Sequence, residues 1–260
     1  MERELIDIGL EAVRRGAAIL KDSYGQATGI TYKGKLDLVT DADRRAEDTV
    51  VSFLQHKTAE CGILAEERTE IASRSHERWI LDPLDGTTNF AHGYPFFCVS
   101  LALERKGRIV WGAVLDPMRD ELFSASRAQG ATCNGSSVRV SDTDRLDRAM
   151  LCTGFPYDVH DSDIDNLDNF TRIIKKARAV RRDGAAALDL CYVAMGRFDG
   201  FWEMKLKPWD IAAGALIVAE AGGRVSGFDG SDLCLDSGAV LATNGLLHDG
   251  LCGILASGRG

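Results

Sequence analysis

The chain has 260 residues, enough for one large domain or two fused halves around a substantial core. Its 45% apolar and 27% charged content is that of an ordinary globular protein, and 31 Lys and Arg against 39 Asp and Glu leave a formal charge of −8. With no sustained Lys/Arg run and no apolar stretch of membrane-spanning length, neither nucleic-acid binding nor membrane insertion is expected.

The first residues, MERELIDIGLEAVRRG, alternate charged and apolar side chains unlike a signal peptide, so a cytoplasmic protein is expected. Over residues 3–23 Leu5, Ile8, Ala12, Val13, Gly16, Ile19 and Leu20 share one face, which predicts an amphipathic helix. A second helix is expected from Asp41 through Leu54. The short apolar runs 61–65 (CGILA) and 79–81 (WIL) read as buried strands that stop at Glu66 and Asp82.

From residue 98 the pattern changes to strands joined by turns: CVSLALE, a turn at Lys106-Gly107, RIVWGAVLD, ELFSAS, and a hairpin turn at Asn134-Gly135. This predicts an antiparallel sheet in the first half, residues 1–145. The second half, residues 146–260, reads as a strand (AMLCTG), helices around 164–177 and 184–195, the strand FDGFWEM, and the helix IAAGALIVAEAGG closed by Gly222-Gly223. A layered α/β fold with two sheets accommodates these alternations. The seven cysteines, at 61, 98, 133, 152, 191, 234 and 252, form no CxxC pair and read as reduced thiols.

Four carboxylates sit where elements end: Glu66 after ILA, Asp82 after WIL, Asp85 in DPLDGTTNF (82–90), and Asp210 after Pro208-Trp209. Strand ends and helix starts converge in layered α/β folds, so these residues can meet. Two carboxylates 4 Å apart repel by roughly 1 kcal/mol in water and by several times that near a protein surface. Oxygen ligands with no histidine nearby select a hard divalent ion, Mg²⁺ before Mn²⁺ or Ca²⁺. Such a loaded pocket attracts a phosphate, and the backbone of Gly86-Thr87-Thr88 adds N–H donors for it. Taken singly, each acid has an ordinary structural reading: Asp210 as a helix cap, Asp85-Gly86 as a turn, Asp41 and Asp43 as helix-start residues.

Taken together, Glu66-Glu67, DPLDGTTNF and KPWDIAAGALIVAEAGG (207–223) resemble the inositol monophosphatase family of Mg²⁺-dependent, lithium-sensitive phosphatases. KLDLVTDAD (35–43) and RRDGAAALDLCYVAMGRFDGFWE (181–203) extend the likeness to nearly the whole chain. The resemblance implies a layered αβαβα sandwich of the sugar-phosphatase type, with an antiparallel sheet in the first half and a mixed sheet in the second, both halves forming one catalytic unit; it also implies a homodimer and two or three Mg²⁺ per site, with Mn²⁺ as a substitute. It implies that Glu66, Asp82 and the Leu84 carbonyl hold the first ion, that Asp82, Asp85 and Asp210 hold the second, and that Glu66 also holds a weaker third.

By the same likeness, Gly86 and Thr87 bind phosphate, and Thr87 with Asp43 orients and deprotonates the attacking water. Asp85, Gly184, Ala185, Ala186, Glu203 and Asp210 contact the substrate, and Lys35 and Asp37 lie on a mobile loop. The implied reaction is direct hydrolysis of a small phosphorylated polyol or sugar, inositol 1-phosphate first. Fructose 1,6-bisphosphate, histidinol phosphate and bisphosphate nucleotides are the alternatives within the same superfamily. An aspartyl-phosphate mechanism of the haloacid-dehalogenase type wants D-x-D, and Asp82-Pro83-Leu84-Asp85 is one residue too long. A non-catalytic binding protein on the same fold would be expected to have lost an acid or Thr87, and none is lost.

Overall fold

The structure, a computed structural model, describes residues 2–26, 31–32 and 38–256. The chain runs α1 (Glu2–Ser23), β1 (Thr31–Tyr32), β2 (Leu38–Val39), α2 (Asp41–Lys57), β3 (Gly62–Ala65), β4 (Glu77–Asp85), α3 (Thr87–Ala91), β5 (Cys98–Arg105), β6 (Arg108–Asp116), β7 (Glu121–Ser126), β8 (Ala131–Cys133) and β9 (Ser136–Val138). It continues through β10 (Met150–Thr153), α4 (Leu167–Ile174), β11 (Ala179–Arg181), α5 (Ala186–Ala194), β12 (Gly200–Glu203), α6 (Pro208–Glu220), β13 (Arg224–Ser226), β14 (Val240–Thr243) and α7 (His248–Ala256). Two sheets organise it: seven strands in order β3 to β9, and five in order β11-β10-β12-β14-β13.

The layers are helix, sheet, helix, sheet, helix, the αβαβα sandwich expected. On the outer face of the seven-stranded sheet, α1 and α2 bury Val13, Leu20, Val50 and Leu54 against Trp79, Leu101 and Trp111. The helices approach closely because Gly16 has no side chain; a Cβ there would lie 3.0 Å from Val50 Cγ2. Between the sheets, α5 and α6 are apolar on all sides, the composition of a buried helix. They pack Leu188, Leu190, Ile211 and Ile217 against Ile80, Val114 and Phe123 of one sheet and Phe201 and Ala242 of the other. On the far side α4 and α7 cover Leu151, Trp202 and Leu241 with Ile173, Leu251 and Leu255.

The middle layer ties the halves together. A Cβ on Gly112 of β6 would meet Ala213 Cα of α6 at 2.8 Å. At its C-terminal end Glu220 accepts the backbone N–H groups of Ala128, Gln129 and Gly130 at 2.8, 3.1 and 2.9 Å.

Two details differ from expectation. The first sheet is mixed, because β3 pairs with β4 in parallel. The strand read as WIL does not stop at Asp82: β4 runs on to Asp85, with a bulge where Asp82 faces Ser100 and Asp85 faces Cys98. Pro83, which has no N–H to offer the ladder, sits inside that bulge. No helix among the described residues is long and apolar enough to cross a membrane.

Candidate active site

A cavity of 440 Å³ opens where the C-terminal ends of β3, β4, β10, β11 and β12 meet the start of α6. Glu66 comes from the turn after β3, Asp82, Leu84 and Asp85 from the bulged end of β4, and Gly86 and Thr87 from the start of α3. The turn after β11 supplies Gly184, and Ala186, Glu203 and Asp210 complete the expected wall. Glu66 and Asp210, 144 residues apart in sequence, thus face one space.

The bulge explains how Asp82 and Asp85 reach the same cavity. Asp82 is buried and its Oδ1 accepts the Leu84 N–H at 2.9 Å, bending the chain around Pro83. Gly86 then takes φ 95°, the left-handed region that favours glycine, and a Cβ there would lie 2.9 Å from the Phe96 carbonyl. The short helix α3 begins directly after it.

Asp85 has a second task that its local sequence does not announce. Its Oδ2 accepts the Ala187 N–H at 2.7 Å, so a carboxylate from the first half caps α5 of the second. The residue at the N-cap position, Ala185, has no side-chain acceptor of its own. Asp210 is the third residue of α6 and accepts the Lys207 N–H at 2.7 Å. The cap and the cavity acid are the same group in both cases.

Burial is the main force on these acids. It raises Asp82 well above the usual carboxylate range, with Glu66, Asp85 and Asp210 adding repulsion. Burial pushes Asp85 up to about 7 with help from Glu66, and Asp210 up to about 7 with help from Asp85. The Asp210 carboxyl is also within hydrogen-bond reach of Asp82. Glu203 is pushed up to about 8 by burial and then by Asp210. A group of acids that oppose one another's ionisation fits a hard divalent cation, which would restore the charged forms. Among the described residues no three acid, histidine or cysteine side chains converge on one coordination point; the acids line the cavity wall.

Asp43 is not on that wall. It is buried at the start of α2, where Oδ2 accepts the Thr40 N–H at 2.8 Å in a capping box, while Oδ1 lies 3.0 Å from Thr87 Oγ1. Both readings of Asp43, helix-start acid and partner of Thr87, therefore hold, one for each oxygen. Burial raises its pKa, against the hydrogen bonds from Thr40 and Thr87.

Ala185 is a correction. It is 1% exposed and belongs to the apolar layer between the sheets, because the extended backbone before α5 turns its methyl group into the core. Lys35 and Asp37 lie outside the described residues. The sequence reading missed Gly154, Phe155, Tyr157, Arg182 and Trp209, all of which line the cavity. For Gly154, Phe155 and Tyr157 the signal was TGFPYD (153–158), a Gly-Pro loop directly after a strand, the same arrangement that marked the acids.

A family model described as "Inositol monophosphatase family" matches residues 1–258. The chain belongs to the inositol monophosphatase family. Family members at comparable distance carry different names. The "Nus factor SuhB" of Pseudomonas aeruginosa is 45% identical over 249 residues, 92% of this chain and 91% of that one. The "Inositol-1-monophosphatase" of a Synechocystis species is 43% identical over 254 residues, 97% and 88% of the two chains. Among solved structures, the extragenic suppressor protein suhB of Bartonella henselae superposes with a TM-score of 0.92 at 39% identity, covering 98% of this chain and 99% of that one. The inositol monophosphatase of Anabaena gives 0.89 at 39% identity, covering 98% and 96%. The family is one of phosphoric monoester hydrolases, and its fold is the one described above.

Proposed function

We propose that the protein hydrolyses a phosphate monoester with Mg²⁺, inositol 1-phosphate being the first substrate to test. The observation that carries this reading is the meeting of Glu66, Asp82, Asp85 and Asp210 with Gly86 and Thr87 around one cavity. Glu66, Asp82, the Leu84 carbonyl, Asp85 and Asp210 are the oxygen donors that would hold two or three ions, with Mn²⁺ as a substitute. When bound, the ions lower the pKa of water towards neutrality and stabilise the leaving oxygen.

The chain's own groups supply the rest. The N–H groups of Gly86 and Thr87 bind a phosphate oxygen. Thr87, held by Asp43, orients the water opposite the ester oxygen, and its hydroxyl takes the water's proton as it gives its own hydrogen to Asp43. The water oxygen bonds to phosphorus as the ester bond breaks, the departing oxygen takes up a proton from solvent to leave as the alcohol, and no residue becomes phosphorylated. Glu203, at the other side of the cavity, accepts hydrogen bonds from substrate hydroxyls.

Arg182 and Lys207 line the same cavity and favour a second reading, a substrate with two anionic groups such as fructose 1,6-bisphosphate. One panel separates the two: phosphate release from inositol 1-phosphate, fructose 1,6-bisphosphate, histidinol phosphate and 3′-phosphoadenosine 5′-phosphate, with Mg²⁺ and with added Li⁺. Release from none of them would overturn the phosphatase reading. We also propose a cytoplasmic location and, on the strength of family membership and of Ile164 and Leu167, exposed apolar side chains in one stretch of chain, a homodimer. Light scattering tests the dimer.

A further inference from the structure

Strands β10 and β12 pair in parallel with Thr153 beside Trp202, so their next residues, Gly154 and Glu203, emerge side by side at the cavity. A Cβ placed on Gly154 would lie 2.1 Å from Glu203 Oε1, 2.2 Å from Cδ and 2.2 Å from Oε2. Those distances are far inside van der Waals contact, which for carbon begins at about 3.5 Å. The Glu203 carboxylate therefore occupies the space that any side chain at 154 would fill.

The backbone at Gly154 is fixed. Its carbonyl accepts Asn166 Nδ2 at 2.8 Å, Asn166 Oδ1 in turn accepts Trp202 Nε1 at 3.0 Å, and Thr153 Oγ1 donates to the Trp202 carbonyl at 2.6 Å. Thr153, Asn166 and Trp202 are all buried. By contrast, no hydrogen bond or ion pair among the described residues holds the Glu203 carboxylate. Only packing and longer-range charges, chiefly those of Asp210 and Arg182, act on it, so of the two neighbours it is the one that can move.

We propose that Gly154 is a positioning residue that keeps Glu203 drawn back against β10, and that it thereby sets the preference for phosphate esters whose leaving group carries several hydroxyls. This rests on the phosphatase reading above. Adding a methyl group at 154 swings the carboxylate away from β10 into the cavity, where it takes up the room of the leaving group and no longer meets its hydroxyls. Because the displaced atoms are the end of a flexible side chain, the fold is little affected.

The test compares Gly154→Ala, Glu203→Ala and the double variant with wild type, using the ratio of kcat/KM for inositol 1-phosphate to that for p-nitrophenyl phosphate, whose leaving group has no further hydroxyl. Calorimetric binding of myo-inositol gives a readout independent of turnover. Gly154→Ala is expected to lower the ratio about tenfold, the scale of a single pocket contact, and to weaken inositol binding. In the Glu203→Ala background the same substitution should change neither by more than about twofold, since neighbours that act through one another are not additive.

A ratio and an inositol affinity unmoved by Gly154→Ala would overturn the proposal, as would an equal loss in both backgrounds. If Gly154→Ala melts early, the double variant must recover the wild-type melting temperature; persistent instability would place the clash elsewhere. Should wild type release phosphate from neither ester, the phosphatase reading fails by itself, and inositol binding then decides the role of Gly154.

Discussion

Thr87 Oγ1 lies 3.0 Å from Asp43 Oδ1 and 3.0 Å from the Leu84 carbonyl oxygen. A hydroxyl has one hydrogen, so it donates to one of these acceptors at a time. A proton arriving on Asp43 would send the Thr87 hydrogen to Leu84 and free the hydroxyl oxygen to accept. The pair joins the start of α2 to the start of α3, 44 residues apart, and couples the cap of a helix to the phosphate loop.

The two oxygens of Asp43 allow its roles to be separated. Asp43→Asn keeps an acceptor for the Thr40 N–H and should cost no more than about 1 kcal/mol of stability, whereas Asp43→Ala removes its half of the capping box and should cost about 1 kcal/mol more. Both should lower turnover by at least 100-fold if Asp43 takes the water's proton through the Thr87 hydroxyl, an effect on the scale of general-base loss. Thermal melts together with phosphate release check the split; an active Asp43→Asn variant would remove Asp43 from the chemistry.

Asp82 is crowded by three other acids, so neutralising it should relieve the metal-free protein. Asp82→Asn should melt no lower than wild type without Mg²⁺ and lose most of the stabilisation that Mg²⁺ gives wild type, since a ligand stabilises only in proportion to its binding. Turnover should fall by orders of magnitude. Melts with and without Mg²⁺ read both effects, and a normal Mg²⁺ response in the variant would contradict the assignment of Asp82 as a shared ligand.

Glu47 on α2 is 2% exposed and accepts the Glu67 N–H at 2.8 Å and Arg68 Nε at 2.7 Å, which pins the turn that presents Glu66. Arg68→Ala leaves a buried charge without its partner, at a cost of about 3 kcal/mol. It should also weaken Mg²⁺ binding by letting Glu66 drift. Titration calorimetry with Mg²⁺ on the folded variant tests the second effect, and unchanged affinity would mean that the turn holds its shape without the clamp.

His248 is buried between Ser226 Oγ, 2.8 Å from Nε2, and Thr243 Oγ1, 3.0 Å from Nδ1. Burial, assisted by Arg224, lowers its pKa from 6.5 to about 4. The folded state therefore keeps it neutral while the unfolded chain takes up a proton below pH 6.5. Its contribution is full above that pH and is lost as the pH falls towards 4, by roughly 2 kcal/mol once solvent screening is allowed for. The difference in stability between wild type and His248→Gln, followed by denaturant unfolding from pH 7 to 4, should shrink over that interval. A constant difference would show that protonation of His248 is not linked to unfolding.

The acids were legible because each motif is local: two carboxylates, a proline and a glycine within five residues specify a bend and a charge problem together. The layers were legible because α5 and α6 are apolar on every face and the strands of the first sheet alternate little. What could not be read depends on distant partners. Nothing near Asp85 in sequence reveals that it caps a helix 102 residues away. The importance of Gly154 depends on the parallel register of β10 and β12, and Ala185 was misplaced because a motif position does not say which way a methyl group points. The end of β4 was misread because a proline after an aspartate resembles a strand terminus when it is a bulge.

The helix α6 carries Asp210 at one end and, at the other, Glu220, which grips the turn between β7 and β8. The gene consequently has no useful cut near residue 145: a fragment holding the first sheet alone would expose the face that α6 covers, and the remainder would expose the helix. Separately expressed halves should be insoluble alone, and co-expression, by restoring the shared layer, should recover soluble protein.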